Sequence, residues 1–175
     1  MSQVRVLSRP HEDDSSTQLA IARIDPVVSF HIVHCDLITA KSMTKRISHL
    51  GIAVKDLSSS EALFAKLLGD ENIHHEVVED QGVSIASFKI GESIIELTAS
   101  TRDDSSIAKF IAKRGEGIHH LALEVDDVAA ELVRLKKEGI QLIDETPKIG
   151  AHEMLIAFLH PKSTNGVLVE LCQKK

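Results

Sequence analysis

The sequence predicts an α+β fold in which two βαβββ modules form paired half-barrel sheets around a shared cleft. Three observations carry this prediction: a stretch that recurs at a fixed offset, a glycine-terminated amphipathic segment behind each copy, and short alternating runs after each segment. A fixed-offset repeat means that one supersecondary unit has been used twice, so it constrains the whole fold.

The first element of each module is the recurring stretch. Ile47-Ser48-His49-Leu50-Gly51-Ile52-Ala53-Val54-Lys55-Asp56-Leu57 aligns with Ile118-His119-His120-Leu121-Ala122-Leu123-Glu124-Val125-Asp126-Asp127-Val128, and the histidines His49 and His120 lie 71 residues apart. Both copies alternate apolar and small or polar residues, the pattern of a half-buried strand. A helix follows each. Leu63, Phe64, Leu67 and Leu68 precede Gly69 in the first, and Val128, Leu132 and Leu135 precede Gly139 in the second. Apolar spacing near 3.6 with a terminal glycine is the signature of an amphipathic helix and its stop.

Strand-type runs come next. They are Gly82 to Ile90 and Ser93 to Thr98 in the first module, and Ile140 to Ile143, Met154 to Leu159 and Gly166 to Cys172 in the second. Gly91-Glu92 and Pro161 through Gly166 supply turns between them. Between the modules, Ser105 to Arg114 reads as a serine-capped linker helix with Ile107, Phe110 and Ile111 inward. The modules span about 46–101 and 117–173 of a domain covering 44–175. Residues 1–43 read as an N-terminal extension, disordered or the product of an over-long gene model beginning before Met43, with a short extra strand at Val27–Val33 as the alternative. That segment has neither the apolar core of a secretory signal nor the acid-poor character of a transit peptide.

Composition narrows the function. The 175 residues are 43% hydrophobic and 26% charged, ordinary for a globular protein. No apolar run approaches the roughly 20 residues needed to span a bilayer. A net charge of −6 and 3% aromatics without Trp or Tyr argue against a nucleic-acid partner. Cys35 and Cys172 are far apart, which suggests a reducing compartment rather than a disulfide framework or zinc knuckle.

Alternation assigns faces. Leu50, Ile52 and Val54 take the helix side of the first strand and leave His49, Gly51 and Ala53 opposite; Leu121, Leu123 and Val125 leave His120, Ala122 and Glu124. On the last strands Glu96 alternates with Ile95 and Leu97, and Glu170 with Val169 and Leu171. A single strand His or Glu is usually an ordinary hydrogen-bonded or solvated side chain. Here each module offers one early His and one late Glu away from its packing face. A mid-strand carboxylate needs a partner there, and two imidazoles with two carboxylates suit zinc, cobalt, nickel or manganese. His119 is expected to be buried and hydrogen-bonded. His152 and His160 are candidates to line the cleft, His74 and His75 have no repeat partner, and Cys172 reads as a core thiol.

These residues resemble the vicinal oxygen chelate superfamily and, within it, the methylmalonyl-CoA epimerases. The resemblance covers about residues 45–173. It rests on the two strand stretches, Gly115-Glu116-Gly117, Pro147-Lys148-Ile149-Gly150-Ala151, His160-Pro161-Lys162, and Gly166 through Leu171. It implies one divalent ion, cobalt by expectation with zinc, manganese or nickel as alternatives, held at His49, Glu96, His120 and Glu170. It also implies a homodimer in the cytoplasm, or in the mitochondrial matrix of a eukaryote. The implied activity interconverts the (R) and (S) forms of methylmalonyl-CoA through C2 proton abstraction and a metal-stabilised enolate, with Glu170 as base. Lys148 and Lys162 are candidates for the CoA phosphates. Some members carry a second catalytic glutamate three residues after a Gln-Gly pair; here Gln81-Gly82 leads to Ile85 instead. Glu76, Glu79 or a metal-bound water are the candidates for the opposite acid. The alternatives are a glyoxalase I-type lyase, with a similar ligand shell, and a non-catalytic small-molecule-binding module of the same fold.

Overall fold

The computed structural model describes residues 44–69 and 72–175, so the expectations for the N-terminal segment and Cys35 lie outside the described residues. The chain runs β1 (Thr44–Val54), α1 (Leu57–Leu68), β2 (Ile73–Val78), β3 (Val83–Ile90), β4 (Ser93–Ser100), α2 (Ser106–Arg114), β5 (Gly117–Val125), α3 (Val128–Lys137), β6 (Lys148–Ile149), β7 (Leu155–Leu159) and β8 (Val169–Gln173). This is βαβββ, a linker helix and βαβββ.

Each helix starts where a short polar side chain can satisfy its free N–H groups. The Asp56 carboxylate accepts from the Ser59 amide at 2.7 Å, and Asp127 accepts from Ala130 at 3.0 Å. The two caps are therefore repeat partners. Ser105 caps α2 by accepting from Ala108 at 3.0 Å. α1 stops at Gly69, whose φ of 65° is left-handed and whose amide bonds Ala65.

The eight strands form one sheet in the order β2-β3-β4-β1-β5-β8-β7-β6. Within each half, the first and last strands pair in parallel: β1 with β4, and β5 with β8. The halves meet along the antiparallel β1–β5 seam, which gives the curled, half-barrel form. Behind the first half, Phe64 and Leu68 of α1 pack on Val54, Phe88 and Leu97. Behind the second, Val128 and Leu132 of α3 pack on Val125, Ala157 and Leu171. α2 lies on the other side, with Ile107 against Ala53, Val83 and Ile85.

Four local expectations change. Leu63 and Leu67 are 62% and 70% exposed; α1 uses Leu57, Phe64, Ala65 and Leu68 instead. Ile140 to Ile143 is a connection, held by the single bridge Leu142–Leu159 and by the Gln141 amide on Ser163 Oγ. The pairing moves to Lys148 and Ile149, which meet Ile156 and Leu155. β8 begins only at Val169, because the preceding turn runs to Gly166, whose amide bonds Pro161, and the Val167 amide bonds back to Thr164. β2 was hidden in the sequence by its polar centre, His74-His75-Glu76. It is an edge strand with one neighbour, so no continuous apolar face is required of it.

Candidate metal centre

Strand register assembles the site. β1 turns Ile52 and Val54 toward α1, which leaves His49, Gly51 and Ala53 on the concave face. Across the seam Gly51 lies opposite His120, and His49 opposite Ala122. The parallel pairs add the carboxylates, since Glu96 registers with Gly51 and Glu170 with Ala122. Gly51 and Ala122 are themselves repeat partners. Each glutamate therefore arrives beside a small residue of the central seam, where space remains for its side chain. At Gly51 the space is fully used: a Cβ there would lie 2.1 Å from His120 Cε1.

The four side chains converge. His49 Nε2 is 3.0 Å from His120 Nε2, 3.7 Å from Glu96 Oε2 and 3.5 Å from Glu170 Oε1. His120 Nε2 is 3.9 Å from the other Glu170 oxygen. Ligands bound at about 2.0–2.2 Å stand roughly 3–4 Å from each other around one ion; donor atoms of His49, Glu96 and His120 lie within 4.8 Å of one another, and Glu170 groups likewise with His49 and Cys172. All four residues are buried, Glu96 at 3% exposure and Glu170 at 4%. Glu96 Oε1 has no hydrogen-bond partner among the described residues. Two buried carboxylates are costly unless cationic neighbours meet them; His152 Nε2 lies 3.3 Å from Glu96 Oε1. The donor set fits a divalent metal.

Electrostatics agree. Burial pushes His120 down to about 3, helped by His49 and His119. Burial also lowers His49 against the opposing pull of Glu96. Both shifts favour the neutral imidazole, the form that ligates metal. Burial pushes Glu170 well above the usual carboxylate range, with the Glu96 charge adding to it. In Glu96 burial acts upward, but His152, His49 and His120 together outweigh it and hold the acid below its ordinary value.

Other histidines support the centre. His119 Nδ1 meets His120 Nδ1 at 3.0 Å, and its ring stands edge-on to Phe110 of α2 with centroids 4.9 Å apart. This contact fixes the His120 ring so that Nε2 faces the cleft. His152 enters from the turn between β6 and β7. Its Nε2 lies 3.3 Å from Glu96 Oε1 and its Nδ1 3.4 Å from Glu76 Oε2, and proximity to Glu96 raises its pKa. His152 lines the cleft, as its place beside a strand suggested; its contact with Glu76 could not be foreseen, because strand β2 was not recognised. His160 instead caps its own turn by accepting from the Lys162 amide at 3.1 Å.

The ligand cluster opens into a cavity of about 360 Å³ walled by Val83, Ile85, Ile107, Met154, Ile156 and Leu168. An apolar cavity with a few convergent polar groups is the usual form of a small-molecule site. Lys148 lines it, pairs with Asp144 at 2.9 Å and sits 5.3 Å above the Phe158 ring. Lys162 is exposed and does not line it, and neither does Glu76 or Glu79. Cys172 is fully buried and burial pushes its thiol to about 12, so it is an inert core group.

Comparison with known proteins supplies an independent line. Residues 48–158 match the glyoxalase/bleomycin resistance protein/dioxygenase superfamily. The chain is 40% identical over 129 residues to the mitochondrial methylmalonyl-CoA epimerase of Homo sapiens, covering 73% of each protein. It is 40% identical over 133 residues to the ethylmalonyl-CoA/methylmalonyl-CoA epimerase of Cereibacter sphaeroides, covering 75% of this chain and 99% of that one. Among solved structures, a variant of Streptomyces coelicolor methylmalonyl-CoA epimerase in complex with 2-nitronate-propionyl-CoA superimposes with a TM-score of 0.72 at 39% identity, over 75% of this chain and 95% of that one.

Proposed function

Since the chain belongs to the glyoxalase/bleomycin resistance protein/dioxygenase superfamily and, within it, to the methylmalonyl-CoA epimerases, we propose that it inverts C2 of methylmalonyl-CoA with one divalent ion held by His49, Glu96, His120 and Glu170. The observation that carries the ligand assignment is the convergence of these four buried side chains within 3.9 Å of a neighbour. Cobalt is the ion we assign first, with zinc, manganese and nickel suited to the same donors.

The C2–H of the substrate lies between a thioester carbonyl and a carboxylate, and its removal places negative charge on the thioester oxygen. A divalent ion held by His49, Glu96, His120 and Glu170 would supply Lewis-acid stabilisation of that charge. The chain does the rest. Glu170 takes the proton from one face of C2, a role typically worth about 10²–10⁴-fold, and inversion is complete when the planar enolate is reprotonated on its opposite face. The position of Glu170 supports this assignment, because it lines the cavity at the edge of the donor cluster, with Oε1 3.5 Å from His49 Nε2. Ile85 lines the cavity as an apolar wall, so no second glutamate shares the work from that position. The aliphatic lining keeps water from the carbanionic carbon. Lys148 at the cavity wall and Lys162 beyond it are the cations we assign to the CoA phosphates, and the working form we assign is a homodimer.

The test is exchange at C2 of methylmalonyl-CoA in heavy water, followed by NMR. Metal-loaded protein is expected to incorporate deuterium. Glu170→Ala should lose at least about 10²-fold while remaining folded, and His49→Ala should lose the ion. Undiminished turnover after chelation, with metal content verified near zero, would overturn the metal assignment.

A further inference from the structure

We infer that His74, Glu76 and His152 form a second divalent-cation site at the rim of the cleft, of the two-histidine, one-carboxylate type that takes zinc. One potential donor atom from each residue lies within 4.8 Å of the other two. His152 Nδ1 is 3.4 Å from Glu76 Oε2, a separation suited to neighbouring ligands on one ion. The His74 and His152 rings lie 5.2 Å apart and tilt by 40°, and His74 is exposed, so its ring is free to turn toward the pair.

The arrangement is built from both modules. His74 and Glu76 alternate on β2 and so share a face of the edge strand. His152 comes from the turn after β6, and that turn is held in place. Its amide donates to Glu76 Oε2 at 2.9 Å. His152 and the following Glu153 both adopt left-handed backbone, with φ of 54° and 55°. Such conformations in non-glycine residues persist where the surroundings enforce them, and they concentrate at ligand sites. The remaining nitrogen of His152 has no hydrogen-bond partner among the described residues, yet it points to within 3.3 Å of Glu96 Oε1. A histidine that ligates through one nitrogen and faces a carboxylate with the other is the usual second-sphere pattern of metal sites. The rim site stays open to solvent on the His74 side, so water completes its coordination.

This site shares no ligand with the inner cluster. It stands whether or not the chain is an epimerase. The test is equilibrium dialysis of the full chain against micromolar zinc, followed by elemental analysis of bound metal per chain. His74→Ala is expected to hold one equivalent fewer than the wild type, and Glu76→Gln should show the same deficit. His49→Ala is expected to lose its equivalent independently, and His49→Ala with His74→Ala should lose two. Equal zinc content in the wild type and His74→Ala would overturn the inference, whatever the fate of the inner ion.

Discussion

At the scale of single residues, Gly51 is as consequential as the ligands. Its missing Cβ is the space in which the His120 imidazole lies. Gly51→Ala is expected to move that ring and weaken inner-site metal binding by about 10–100-fold, the usual cost of disturbing what orients a ligand, with the fold retained by circular dichroism. A competition titration with a chromophoric chelator measures this. Wild-type affinity in Gly51→Ala would show that the ring has another place to go. His119 acts on the same ring from the opposite nitrogen. The sequence marked His120 by its repeat partner His49 and placed Gly51 among the small residues of the same face; it could not show that the His120 ring fills the space, because a glycine inside a strand announces only that something approaches closely.

At the scale of elements, the caps are an instructive pair. Asp56 and Asp127 occupy equivalent places and open α1 and α3 by the same hydrogen bond. Asp127→Ala is expected to lower stability by about 1 kcal/mol, read as a shift in denaturation midpoint without loss of metal affinity. Elements with strong periodicity were legible in the sequence: β1, β5, α2, and the alternation that sends Glu96 and Glu170 to the cleft. Elements whose reason is tertiary were not. β2 has polar residues at its centre because it has one neighbour only, and Ile140 to Ile143 looks like a strand but is tied down as a connection. Within α1, the apolar period alone could not tell Leu63 and Leu67, which face outward, from Phe64 and Leu68, which face the sheet. His152 was a candidate to line the cleft and does so; what the pattern did not reveal was β2, the element that brings His74 and Glu76 to it.

For the whole molecule, the proposed ion would belong to the folded state alone, because the four ligands proposed for it span residues 49–170. Ligand linkage then stabilises the protein by about 2.7 kcal/mol at a free concentration 100 times the dissociation constant. Chelation is expected to lower the thermal midpoint and re-addition of cobalt to restore it, with no such response in His49→Ala; calorimetry decides. Light scattering should find a mass twice the 19.2 kDa of the chain, and a monomer mass at working concentration would remove the homodimer from the proposed working form. The β1–β5 seam carries a last consequence. Each half holds only one imidazole and one carboxylate, so neither can assemble the tetrad by itself, and the seam is the joint across which the donors are shared. The proposed cation would therefore need both halves docked, and a chain with its halves apart would be colourless to cobalt however complete its helices.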